Sequence, residues 1–239
     1  MGKVKIPSIQ HMAGIWEPSP SRIAKKLLHL ANNSPPFSYA NLYKLVADLM
    51  SRGVPYEQIV VAASGIKLPV ARKNYLDILP LVREYAISAG RVIVNDVAPR
   101  PYVIGRDLRI SVNPPFMYFR DEETHLPWFV FWKTNLFNES RLRLFITMLR
   151  EVFRQDPDID DASLHLVICG VPPLGKERVL QVLDTSAIQS LSRLERDEML
   201  GIFTAGYAQA VQAQIEGRSP AQDAEDDKDD ASDQFDLFA

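Results

Sequence analysis

Trp128-Phe129-Val130-Phe131-Trp132-Lys133 is apolar at five consecutive positions. Side chains alternate faces along a strand, so Trp128, Val130 and Trp132 share one face while Phe129 and Phe131 share the other. A strand wetted on one face alternates apolar with polar residues, whereas one covered on both does not. The run therefore predicts a central strand between two apolar layers. Working outward, Arg91–Val97, Asp107–Asn113 and Phe116–Phe119 also read as strands, rich in Val, Ile and aromatics. Asp121-Glu122-Glu123-Thr124 reads as the polar turn of a hairpin that leads into Trp128–Lys133.

Downstream the period changes. Asn138 caps a helix that turns Leu142, Phe145, Ile146, Leu149 and Phe153 inward and carries Arg143, Arg150 and Arg154 on its other side. Asp156–Ala162 reads as a loop, Ser163–Cys169 as a short buried strand, and Gly175–Leu183 as helical. Ser192 and Glu195 have capping-box spacing and open a further helix bearing Leu194, Leu200, Phe203 and Tyr207.

Upstream, Pro7, Pro18 and Pro20 mark the first twenty residues as an irregular arm. Ser19 or Ser21 then caps a helix with Ile23, Leu27 and Leu30 on one face, broken by Pro35-Pro36. A second helix starts at Ser38, carries Leu42, Leu45, Val46 and Leu49, and closes at Gly53. A short helix near Pro55–Ser64 and a longer one near Val70–Ser88, kinked at Pro80, complete the region. The expectation is an α+β chain. Residues 1–90 form an N-terminal helical region, residues 91–215 hold a mostly antiparallel central sheet flanked by helices, and residues 216–239 form a disordered acidic tail.

The composition fits a protein of the cytoplasm. Hydrophobic residues make up 46% and charged residues 24% of 239, ordinary globular values. No apolar run reaches the roughly 18–20 residues that span a bilayer, so no membrane partner is expected. Cys169 is the sole cysteine, which excludes an intrachain disulfide and suits a reducing compartment. The net charge of −3 hides an asymmetry: residues 216–239 hold nine acids and two bases, a charge of −7, leaving +4 on the rest. A mildly basic body is compatible with DNA without being specific to it.

Candidate chemistry in the body is sparse. His11, His29, His125 and His165 are scattered and show no metal-ligand spacing, and Cys169 reads as a small core residue. Gly170-Val171-Pro172-Pro173-Leu174-Gly175-Lys176 has the outline of a phosphate loop. It has Glu177 where Ser or Thr should hold magnesium, and its two prolines remove amide donors. The segment after the turn Arg52-Gly53-Val54-Pro55 offers a DNA groove only Gln58. No cofactor or metal is expected, and no catalytic residue stands out. Lys133, Arg143, Arg150 and Arg154 remain as possible nucleic-acid contacts.

The end of the chain is different. After the acidic run comes Gln234-Phe235-Asp236-Leu237-Phe238, which resembles the bacterial sliding-clamp-binding motif: glutamine, leucine, serine or aspartate, leucine, phenylalanine. Phe235 departs from the usual leucine. The resemblance implies that Gln234 orients the peptide by hydrogen bonding, that Leu237 and Phe238 fill an apolar cleft on the clamp, and that Phe235 adds contact area. An acidic tail with an aromatic tip is also similar to that of bacterial single-stranded-DNA-binding protein. A third reading has the tip packing back on the body.

The order of helix, strands, hairpin, helix and strand loosely resembles the restriction-endonuclease-like family. That family's site is a proline–aspartate step followed by an acid–x–lysine strand. Lys133 matches the lysine, but Phe131 stands where the acid belongs and the first step is at best Asn113-Pro114. Asp107, Glu122 or Glu139 would have to stand in. The expected function is a non-enzymatic bacterial accessory protein of DNA replication, repair or mobile-element maintenance, recruited to the sliding clamp by its C-terminal peptide. The alternatives are a divergent metal-dependent nuclease and an interaction domain unrelated to DNA.

Overall fold

The computed structural model describes residues 3–33, 37–51, 54–106 and 108–217. The expected breaks at Pro35-Pro36 and Gly53, the candidate acid Asp107, and the tail beyond residue 217 with Gln234–Phe238 lie outside the described residues. The chain is α+β, with seven helices, a five-stranded mixed sheet and a two-stranded sheet among the described residues.

Five helices come first: α1 (Ile9–Ile15), α2 (Pro20–Asn32), α3 (Ala40–Ser51), α4 (Tyr56–Ser64) and α5 (Pro69–Ala89). The strands β1 (Ile93–Asn95), β2 (Arg100–Ile104), β3 (Leu108–Val112), β4 (Met117–Arg120) and β5 (Glu123–Val130) follow, and then α6 (Glu139–Phe153), β6 (Ser163–Gly170), β7 (Val179–Asp184) and α7 (Arg193–Ile215). The main sheet has the order β1-β4-β5-β6-β7 and is antiparallel except where β5 and β6 run parallel. A parallel pair needs a crossover, and α6 supplies it.

β5 occupies the centre of the sheet, as its two-sided apolar run predicts. Trp128, Val130 and Trp132 enter one core, with α1, α2, α6, α7 and the β2–β3 ribbon. Phe129 and Phe131 enter another, with α3, α4 and α5. The helices of residues 9–89 are thus shared between both faces of the sheet. No helix among the described residues is long and apolar enough to cross a membrane.

Three expectations are corrected and one strand, Arg100–Ile104, is added. The N-terminal arm contains α1: Pro7 precedes its cap Ser8, Pro18 follows its end, and Ile9, Met12, Ala13 and Ile15 are buried at helical spacing. Arg100–Ile104 is a strand despite Pro101, because a two-stranded ribbon leaves an outer edge where proline needs no partner. β5 begins at Glu123, so the hairpin turn is the pair Asp121-Glu122, both with positive φ (52° and 65°). Two left-handed residues match the twist of a tight hairpin. Finally, Gly175–Leu183 is not helical. The turn closed by Gly175 N–H to the Pro172 carbonyl (2.9 Å) reverses the chain, and Val179–Asp184 pairs with β6. With a strand after it, Gly170–Lys176 is no phosphate loop.

Candidate functional site

The carboxyl ends of adjacent parallel strands are where open α/β sheets tend to bind ligands, and Lys133 lies there, just past β5. The β5–β6 ladder reaches Val130 opposite Ile168. At the next position the two carbonyls, of Phe131 and Cys169, both accept hydrogen bonds from Arg178 Nη1 (2.9 and 2.7 Å). Arg178 Nη2 donates to Asn74 Oδ1 on α5 (2.9 Å). A guanidinium presents several donors in a fixed planar fork, so this one side chain ties β5, β6 and α5 together where the ladder stops. The strands meet again just beyond, where Val171 N–H donates to the Lys133 carbonyl (2.7 Å).

The neighbours take the stamp of this cation. Burial raises the Tyr39 hydroxyl above its usual value, and the Arg178 charge partly offsets that. Burial pushes the Cys169 thiol up to about 12 against the same charge, so the thiol stays protonated at neutral pH and is no nucleophile. It packs as a core residue. The carboxylate that a nuclease needs beside Lys133 is not supplied by Phe131, whose ring is 1% exposed in the second core. Glu122 sits in the turn before β5 while Lys133 lies after it, some eleven residues or about 35 Å of extended chain away. Glu139 is exposed in the first turn of α6. Among the described residues no three His, Cys, Asp or Glu side chains gather as a metal-ligand set.

The arginines of α6 do not form one surface. Arg150 is spent on the β7–α7 connection: Nη1 donates to the Ile188 carbonyl (2.7 Å) and Ser190 Oγ (2.8 Å), and Nη2 to the Thr185 carbonyl (2.5 Å). Arg143 donates to the Gln189 carbonyl (3.2 Å) and pairs with Glu195 at 3.8 Å. Arg154 is exposed at the C-cap of α6. It rims a groove of about 1000 Å³ between β2, α6 and α7, floored by Leu200, Gly201 and Ala205. Across that groove Tyr102 donates to Glu151 Oε2 (2.6 Å), and Arg196 bonds the other oxygen. Lys133 lies in the connection before α6, and Arg154 at the C-cap of that 15-residue helix, which is about 22 Å long. The four sequence-selected cations are therefore not one patch.

One cluster escaped the sequence reading. His125 Nδ1 and His165 Nε2 are 3.1 Å apart across β5 and β6, and the Tyr118 ring stacks on His125 with centroids 4.8 Å apart. Burial lowers both imidazoles below their usual value, and Arg120 adds to the effect at His125. The lowering favours the neutral form of both rings, the form in which one ring nitrogen can donate to the other. Nothing in the sequence signals this pairing, because it depends on the register of strands forty residues apart. Compared with protein-family models, with curated proteins and with solved structures, the chain matches none of them.

Proposed function

We propose that this protein is a non-enzymatic accessory factor of bacterial DNA replication, repair or mobile-element maintenance, held at the sliding clamp by its C-terminal peptide. The observation that carries the reading is Gln234-Phe235-Asp236-Leu237-Phe238 at the end of an acidic segment. Apolar residues at the end of a charged tether gain free energy from an apolar cleft on a partner, and two or three such anchors give micromolar binding after the ordering cost. The tether leaves the body at Gly217, after α7, on the exposed end of that helix. The body is then a binding module, for DNA or for another protein, that the tether keeps near the clamp. Its arrangement is compatible with that role: Phe131 stands in place of an acid, Arg178 holds the strand ends where a cation-binding site would need carboxylates, and Cys169 is buried.

The test is direct binding of a synthetic Ala231–Ala239 peptide to purified bacterial clamp, beside the same peptide with Leu237→Ala and Phe238→Ala. Micromolar binding lost in the double variant is expected. Absence of binding up to millimolar peptide removes the reading.

A further inference from the structure

We infer that β7 is an interface between two copies of this chain, paired edge to edge about a twofold axis through Gln181. β7 is the terminal strand of the main sheet and pairs with β6 without a bulge from His165 opposite Asp184 to Gly170 opposite Val179. Thr185 N–H donates to the Leu164 carbonyl, and the antiparallel alternation then turns the backbones of Leu183, Gln181 and Val179 toward β6. The N–H and C=O groups of Leu180, Val182 and Asp184 face outward. Among the described residues no backbone group pairs with them.

Proteins normally blunt such an edge with lysine, proline, a bulge or shortness. The other edge of this sheet is short, since β1 has three residues. β7 has six, and within it there is no proline, no lysine and no bulge. Its exposed side chains are the valines Val179 (46%) and Val182 (48%) together with Gln181 and, at the end of the strand, Asp184. Leu180 packs on one core and Leu183 on the other, so each face of the edge offers one half-wet valine beside one anchored leucine.

A second copy of β7 completes this pattern. Hydrogen-bonding positions must meet hydrogen-bonding positions, so the twofold axis has to pass through a residue and not between two. Centred on Gln181, the pairing sets Leu180 opposite Val182 of the other copy, and these bond to each other in both directions. Their side chains extend the second core across the axis. On the other face Val179 meets the second copy's Leu183 and extends the first core. A centre at Val182 would instead set Leu180 against Asp184 and lose the match. Residues 219–233 carry seven acids and no large apolar residue and cannot cover two valines. The tip residues Phe235, Leu237 and Phe238 are the rival occupant, and a chain ending at residue 217 should still dimerise if the partner is a second β7. A six-residue edge buries less than the roughly 1,200 Å² of a standard stable interface, so the dimer is a micromolar equilibrium. The inference does not rest on the clamp reading.

The register gives a sharp test on the full chain. Gln181→Cys at about 100 µM, above the dissociation constant expected for so small an interface, should form a disulfide-linked dimer in a glutathione redox buffer. Wide-pair Cα atoms lie about 4.5 Å apart, within disulfide reach. The native Cys169 is buried and gives no background. Val179→Cys should not link, because two copies of residue 179 would lie about 13 Å apart in this register. Sedimentation of the unmodified chain should show a concentration-dependent dimer that Val182→Lys abolishes with unchanged circular dichroism. A chain that stays monomeric at about 100 µM, or linking at 179 as efficient as at 181, or a dimer indifferent to Val182→Lys, overturns the proposal.

Discussion

His11 shows how much one half-buried side chain can decide. Its Nδ1 lies 2.9 Å from Ser8 Oγ, its ring lies against Trp132 with centroids 4.8 Å apart, and burial lowers its pKa to about 4. In the unfolded chain the same imidazole titrates near about 6.5. Between those two values the unfolded state binds the proton that the folded state refuses, so stability is complete above about 6.5 and is lost as pH falls toward 4. At pH 5 the loss from this residue is on the order of 2 kcal/mol. His125 and His165 are lowered too and add in the same direction. Urea unfolding at pH 7 and pH 5 should therefore show a smaller difference for His11→Gln than for the unaltered chain. Equal differences would mean that His11 is protonated at no cost in the folded state. None of this was visible in the sequence, where the histidines carry no spacing and α1 itself reads as part of a proline-broken arm.

At the scale of elements, the five apolar residues from Trp128 to Trp132 disclosed the central strand and its two covers, because alternation is a local property. Asn138, Ser192 and Glu195 likewise marked helix starts by local chemistry: Asn138 accepts from Arg141 N–H, and the capping box at Ser192 is complete. What could not be read was whatever depends on pairing. β7 is short, its alternation is imperfect, and it becomes a strand because β6 offers an edge. Arg178 is undistinguished in sequence, yet it bonds three acceptors on three elements once β7 is in place. Arg178→Lys keeps the charge but replaces the planar fork with a single nitrogen, which cannot span all three. It should cost about 2–3 kcal/mol, as lost charge-assisted bonds to buried acceptors do, read as a lower urea midpoint at unchanged slope. A cost under about 0.5 kcal/mol would show that the strand ends hold without the clamp.

Taken whole, the described residues bring their first helices and their last one together. α2 and α7 cross so closely at Gly206 that an added Cβ would lie 2.7 Å from Ile23 Cβ and from the Pro20 carbonyl oxygen. Val4 N–H donates to Gln214 Oε1 (2.9 Å), and Trp16 Nε1 donates to the Met199 carbonyl (2.9 Å). Gly206→Ala should therefore force the helices apart and cost about 1–3 kcal/mol, although alanine is the better helix former. A thermal midpoint equal to or above that of the unaltered chain would contradict the close crossing. The two covers of the sheet also differ in how the chain supplies them. One is a contiguous block, α3 to α5, while the other joins the first two helices to the last. During translation the first can condense as soon as β6 has been made, and Ile9 and Ile15 of α1 are covered once α6 is in place. Ile23 and Leu27 of α2, however, must wait for the final helix before they leave water. For most of its synthesis the apolar face of α2 therefore has no partner helix, the kind of exposed surface that makes incomplete chains prone to aggregate.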